Sequence, residues 1–219
     1  MTNFKSAIQG KENTLLSAIL VIGGMCIFGL FIHDNSWWRI VSFVGLALVA
    51  VVVSLSARDF KSLLFVFGLG RLTRKVINFC VAGIIFGMLL GLVYNFIKAD
   101  SLLPTTLTSF ALIAPLIGIM EELVFRGFLQ SRFASSGPLV SVILAASGHT
   151  LYKYLVIRTV PVDLNTNIFS LIILTFLVGV VFGIMREGSR SVIPPALAHA
   201  VFDIIVYGGA SMAPVWIWS

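Results

Sequence analysis

Apolar residues run along this chain in long, unalternating stretches, and polar residues gather in short gaps between them. Strict alternation would suit the strands of a barrel, whereas runs of about eighteen or more apolar residues suit membrane-spanning helices. Hydrocarbon offers the backbone no hydrogen-bond partners, so only helices and closed barrels span it; the lack of alternation leaves helices. Seven spans are expected, near residues 14–33, 40–57, 76–97, 105–132, 138–156, 166–186 and 192–210. The expected fold class is an all-α polytopic membrane helix bundle, one integral-membrane domain over residues 1–219 with its chemistry within 105–210.

Composition sharpens this picture. The chain is 58% hydrophobic and 11% charged, against about 25% charged for soluble domains. The first apolar run follows Lys5 and Lys11 and is longer than the ~7–15 residues of a signal-peptide core. It ends in "HDNSWW" without a small-x-small cleavage site, so a retained first span is expected. The segment "RDFKSLLFVFGLGRLTRK" (58–75), basic at both ends, is expected to lie along the membrane surface.

A net charge of +6 could suggest nucleic acid, but the basic residues fall between apolar runs and not on one face. They read as topology signals and lipid headgroup contacts. With a cytoplasmic N-terminus, eleven Lys and Arg fall inside, Arg58, Arg71, Arg126 and Arg186 among them. Four fall outside: Arg39, Lys98, Lys153 and Arg158. That bias sets the N-terminus inside, and Trp37, Trp38, Trp216 and Trp218 then all reach the outer interface. Cys26 and Cys80 lie inside spans and form no CxxC pair, so they read as packing residues. Gly83, Gly87 and Gly91 put a small-residue ladder on one face of span three, suited to close packing within the molecule more than to dimerisation.

The intramembrane ionisable residues carry the chemistry. Glu121 and Glu122 lie about 18 Å from the cytoplasmic end of span four, His149 ~16 Å into span five, His199 ~10 Å and Asp203 ~16 Å into span seven. A charge at mid-bilayer costs at least ~2.5–3.5 kcal/mol on insertion scales. Arg126, at i+4 with the acid N-terminal, compensates Glu122. Glu121 is turned about 100° away on the helix and is expected to lack a local partner, its neighbours being the histidines of spans five and seven. A partly desolvated carboxylate beside an imidazole can hold and activate a water. The remaining polar groups either stabilise an oxyanion, or Glu121, His149 and His199 hold a divalent metal such as zinc. Both arrangements lead to hydrolysis inside the membrane.

Three motifs add a resemblance. "EELVFRG" (121–127) resembles the EExxxR motif of the CPBP intramembrane proteases, which include type II CAAX prenyl proteases and bacteriocin-related Abi proteins. "FLVGVVFGIMREGSR" (176–190) and "SRSVIPPALAHAVFD" (189–203) resemble that family's glycine-containing helix and its final HxxxN or HxxxD motif. The resemblance spans about residues 110–205. It implies that Glu121 and His149 activate water, that His199 and Asp203 stabilise the oxyanion, and that Glu122 and Arg126 hold the first glutamate in place. The family is described as metalloproteases, and no cofactor follows with certainty from the residues. Two positions depart from the pattern: Ala145 stands where the FxxxH motif has Phe, implying a differently shaped, roomier pocket, and Asp203 replaces the commoner Asn. An ionised Asp cannot donate to an oxyanion, so Asp203 is either protonated or orients His199.

The expected function is that of an endopeptidase cutting near the C-terminus of a peptide or membrane-protein substrate, in the bilayer and without nucleic acid. The compact chain without organelle signals points to a prokaryotic cytoplasmic membrane. Two alternatives compete with it: a catalytically silent immunity or scaffold protein, and a proton-coupled transporter. The latter lacks the inverted repeat and matched broken helices of that class. Substrate identity, any need for prenylation and oligomeric state are not encoded in these motifs.

Overall fold

The computed structural model describes residues 2–56, 60–69, 72–98, 101–160 and 167–210, with side chains from Thr14 onward except those of Phe60 and Leu63. Trp216, Trp218, Arg58 and Arg71, and the side chains of Lys5 and Lys11, lie outside what is described. The described residues form helices and no strand, as the long apolar runs require. Helix α1 is Thr2–Phe31, α2 Arg39–Leu55, the short α3 Phe60–Val66 and α4 Arg74–Lys98. Helix α5, Phe110–Glu122, continues without interruption into a π-wound stretch, Leu123–Leu129, and α6, Gln130–Arg132. Three further helices follow: α7 Pro138–Arg158, α8 Ile168–Ser189 and α9 Ile193–Tyr207.

Among the described residues, four helical stretches are long and apolar enough to cross a membrane: Thr14–Phe31, Arg74–Lys98, Pro138–Arg158 and Ile168–Ser189. Arg39–Leu55 and Ile193–Tyr207 are apolar but shorter. The expected fourth span, 105–132, begins later than its hydropathy suggests, at Phe110. Thr108 turns inward just before it, donating through Oγ1 to the carbonyl of Ala210 at 2.7 Å. The segment expected to lie on the membrane surface forms α3, whose Val66 packs with the following Phe67 against the α1 core. These apolar helices make the molecule an integral-membrane bundle.

Two packing centres hold it together. One joins Val21, Met25 and Phe28 of α1 to Val49 and Val52 of α2, Phe125 and Phe128 of the π stretch, and Tyr152 and Val156 of α7. The other gathers Phe182 and Met185 of α8 around Ala198 of α9. The closest pairing is α4 against α9, and the glycine ladder is its cause. A Cβ on Gly83 would stand 2.7 Å from the Pro194 carbonyl, one on Gly87 would overlap the Ala198 carbonyl, and one on Gly91 would press on Ile205 at 2.9 Å. The ladder thus serves packing within the chain, and it fixes the helix that carries His199 and Asp203. Gly87→Val is expected to destabilise the protein by about 1–3 kcal/mol through overpacking, seen as a lower unfolding temperature in detergent. An unchanged transition would mean that the two backbones do not meet there.

One expectation about topology is corrected. Lys153, counted as an outer-loop cation, lies within α7 with its ammonium 2.6 Å from Glu121. Arg126, counted as cytoplasmic, is fully buried against Glu122. Setting both aside leaves ten basic residues against three, so the bias keeps its direction. Trp37 and Trp38 stack with ring centroids 4.0 Å apart and are exposed, as interfacial rings are expected to be.

Candidate active site

The site forms where the α5–π rod meets α7, α8 and α9. The π winding runs through the centre of the motif "EELVFRG", with the Gln130 amide reaching back five residues to the Phe125 carbonyl. Such stretches leave carbonyls poorly matched within the helix and often mark functional positions. Here the Arg126 carbonyl accepts from Nε of Arg186 on α8 at 3.1 Å. Nε2 of Gln130 donates to the Gly183 carbonyl at 3.1 Å, tying the rod to the same helix. Gly179 is what admits α8 here, since a Cβ there would lie 2.9 Å from Nη2 of Arg126.

Glu121, Glu122, Arg126 and His149 are all at most 4% exposed and Asp203 is 6% exposed, so these groups meet one another and not bulk solvent. The pair expected between Glu122 and Arg126 is present, with Nη1 3.1 Å from Oε1. The same Nη1 lies 2.9 Å from Nδ1 of His149. Arginine can only donate, so Nδ1 of His149 accepts and the neutral ring carries its hydrogen on Nε2. That Nε2–H points at Oε2 of Glu121, 3.3 Å away. Arg126 therefore does more than neutralise Glu122: it selects the tautomer of the histidine facing Glu121. The ring is steadied by Phe125, whose centroid stands 4.7 Å from it. Ala145, at the position where the FxxxH pattern has Phe, is itself buried.

Glu121 meets His149 across the interface, as expected, and gathers two further partners that spacing did not suggest. Its Oε1 takes the Lys153 ammonium at 2.6 Å and the Tyr152 hydroxyl at 3.1 Å. Both come from α7, one turn beyond His149, and no known motif flagged them. The available signal was the i,i+4 spacing of Lys153 from His149, masked because a lysine near a helix end reads as a topology marker.

His199 joins the cluster through the other glutamate. Its Nδ1 lies 3.1 Å from Oε1 of Glu122, so the carboxylate accepts an Nδ1–H and orients the ring. Nε2 faces Oδ2 of Asp203 at 3.8 Å, too far for a direct hydrogen bond. Glu122, rather than Asp203, fixes the ring. The rings of His149 and His199 stand 6.4 Å apart, one meeting Glu121 and the other Glu122. Gly118, one turn before Glu122, makes room for this half of the site: a Cβ there would overlap Oδ2 of Asp203 and lie 2.9 Å from the His199 ring.

Among the described residues, no group of three or more His, Cys, Asp or Glu side chains is arranged to hold a metal ion. The charge pattern explains why Glu121, His149 and His199 do not fit a divalent cation in this arrangement. Lys153 and Arg126 already neutralise the two glutamates, and Nδ1 of His149 is committed to Arg126. A dication would have to displace or oppose two fixed positive groups.

Comparison with known proteins gives a family match over the segment that holds these residues. Residues 103–205 match the family described as Rce1-like, type II CAAX prenyl endopeptidase Rce1-like. No curated protein and no solved structure matches the chain. The matched segment, just under half of the chain, carries every acidic, basic and imidazole group just described, and over it the chain is similar to the type II CAAX prenyl endopeptidases.

Proposed function

We propose that the protein is an intramembrane endopeptidase that hydrolyses a peptide bond near the C-terminus of a peptide or membrane-associated protein, with Glu121 as general base. The single observation that carries this reading is the contact of Oε2 of Glu121 with Nε2 of His149, whose tautomer Arg126 dictates. An imidazole that already donates to Glu121 cannot itself be the base in this arrangement, so the carboxylate takes the proton. Water held by Glu121 and His149 loses a proton to the carboxylate as its oxygen attacks the scissile carbonyl. The carbonyl oxygen gains the negative charge, and the proton held by Glu121 passes to the departing amine as the carbon–nitrogen bond breaks.

His199, oriented by Glu122, and Asp203 supply the oxyanion donor. One proton on that pair makes either Nε2 or the Asp203 carboxyl a donor. Asn at 203 would donate permanently, so Asp203→Asn is expected to keep hydrolysis within about tenfold of wild type, the span of ~1.4 kcal/mol. A dead Asn variant, in a protein of normal abundance, would overturn the donor role.

One observation favours a catalytically silent binding protein instead: three donors already occupy Glu121. The deciding experiment reconstitutes the purified protein in lipid with candidate membrane peptides and sequences new C-termini by mass spectrometry. Fragment release that depends on Glu121 supports the endopeptidase; its absence across substrates supports the silent reading. Membranes of a prokaryotic cell are the proposed setting.

A further inference from the structure

We propose that Lys153 is the binding group for a free C-terminal carboxylate on the substrate, and that this carboxylate draws the ammonium away from Glu121; the proposal rests on the endopeptidase reading above.

A carboxylate engaged by Lys153, Tyr152 and His149 at once has little capacity left for a proton from water. One donor has to leave before Glu121 can work as a base. His149 is held by Arg126 and Phe125, and Tyr152 is fully buried with its ring stacked on Phe28 and Phe125. Lys153 is the movable one: its side chain is 29% exposed, against 5% for His149. It sits on a flexible four-carbon stem.

An ammonium withdrawn from its anion in these surroundings needs another anion, because an unpaired charge in a poorly solvated site is costly. Glu122 cannot supply it, being held by Arg126 and His199, and Asp203, which also feels the Lys153 charge, faces His199. Cleavage near a C-terminus brings an anion of the right kind on the substrate itself. Lys153 follows His149 by four residues on one helix face, a rise of ~6 Å. A carboxylate that draws the ammonium off Glu121 would therefore sit on the α7 side of the base. In this scheme an empty site keeps its base clamped, and a chain end with a free acid releases it. An internal peptide bond remote from any C-terminus does not.

The test uses a fluorescent apolar peptide prepared both as the C-terminal acid and as the C-terminal amide. Binding to the Glu121→Gln protein in detergent is measured for each, so that turnover does not intrude. The acid is expected to bind at least about tenfold more tightly, as befits a charge-assisted contact. In Glu121→Gln/Lys153→Met the ratio is expected to fall to about one, and in Glu121→Gln/Lys153→Arg the preference is expected to persist. The Met double variant removes both members of the ion pair, so its folding is not burdened by an unpaired charge. Equal affinity for the two forms, binding of neither, or an acid preference that survives Lys153→Met would each overturn the inference. Cleavage of both forms by the wild-type protein with the same kcat/KM would overturn it while sparing the endopeptidase. Absence of cleavage alongside a Lys153-dependent acid preference would leave the carboxylate site and remove the protease.

Discussion

Glu121→Gln is expected to lower hydrolysis by about 10²–10⁴-fold, the contribution of a positioned general base, while leaving the protein at normal abundance in the membrane. The amide keeps the size and planarity of the carboxylate, so the packing around Phe125 and Tyr152 is retained. It cannot take a proton from water, and it leaves Lys153 without its anion. The Gln amide oxygen still accepts a hydrogen bond from the Lys153 ammonium, which limits the structural penalty. The measurement is processing per molecule of folded protein in reconstituted membranes. Processing unchanged in the Gln variant would remove Glu121 from the chemistry and return the chain to the class of silent binding proteins.

Arg126→Met should act in the opposite manner, through stability more than through rate. Arg126 and Glu122 are both 0% exposed, and one Arg126 nitrogen serves Glu122 and His149 together. Removing one member of a buried pair typically costs ~3–5 kcal/mol, because the other is left as an uncompensated charge. Low abundance and a lowered unfolding temperature are the expected readouts. Glu122→Gln/Arg126→Met should recover much of the loss, since neither charge then remains. It should not recover activity, because His149 would lose the donor that selects its tautomer. A double variant no more stable than the single one would show that Arg126 acts by packing alone.

The helical bundle was legible in the sequence because lipid imposes one simple demand on every span. The convergence of Glu121, Glu122, His149, His199 and Asp203 was legible because polar groups in an apolar run have few reasons to be there. Lys153 was not. Its charge looks the same in sequence whether it marks a loop or pairs inside a helix, and only the position of Glu121 across the interface decides. Spacing suggested that Glu121 would meet both histidines, whereas His199 turns to Glu122. The π winding over Leu123–Leu129 left no mark in residue type. Gly118 and Gly179 were likewise silent, because the neighbours they accommodate lie far away along the chain.

Helix α9 has 15 residues, which gives a length of ~22 Å, short of the ~30 Å hydrocarbon slab of a typical bilayer. Such a mismatch is relieved by local thinning of the lipid or by neighbouring segments that complete the crossing. Here the neighbours do so: α4, α5 and α8 pack around α9, which leaves Ile204 as its one exposed residue, and His199 sits within that covered stretch. The helix bearing His199 thus meets protein rather than fatty acyl chains along nearly its whole length, so its histidine is insulated from the bilayer by its own neighbours.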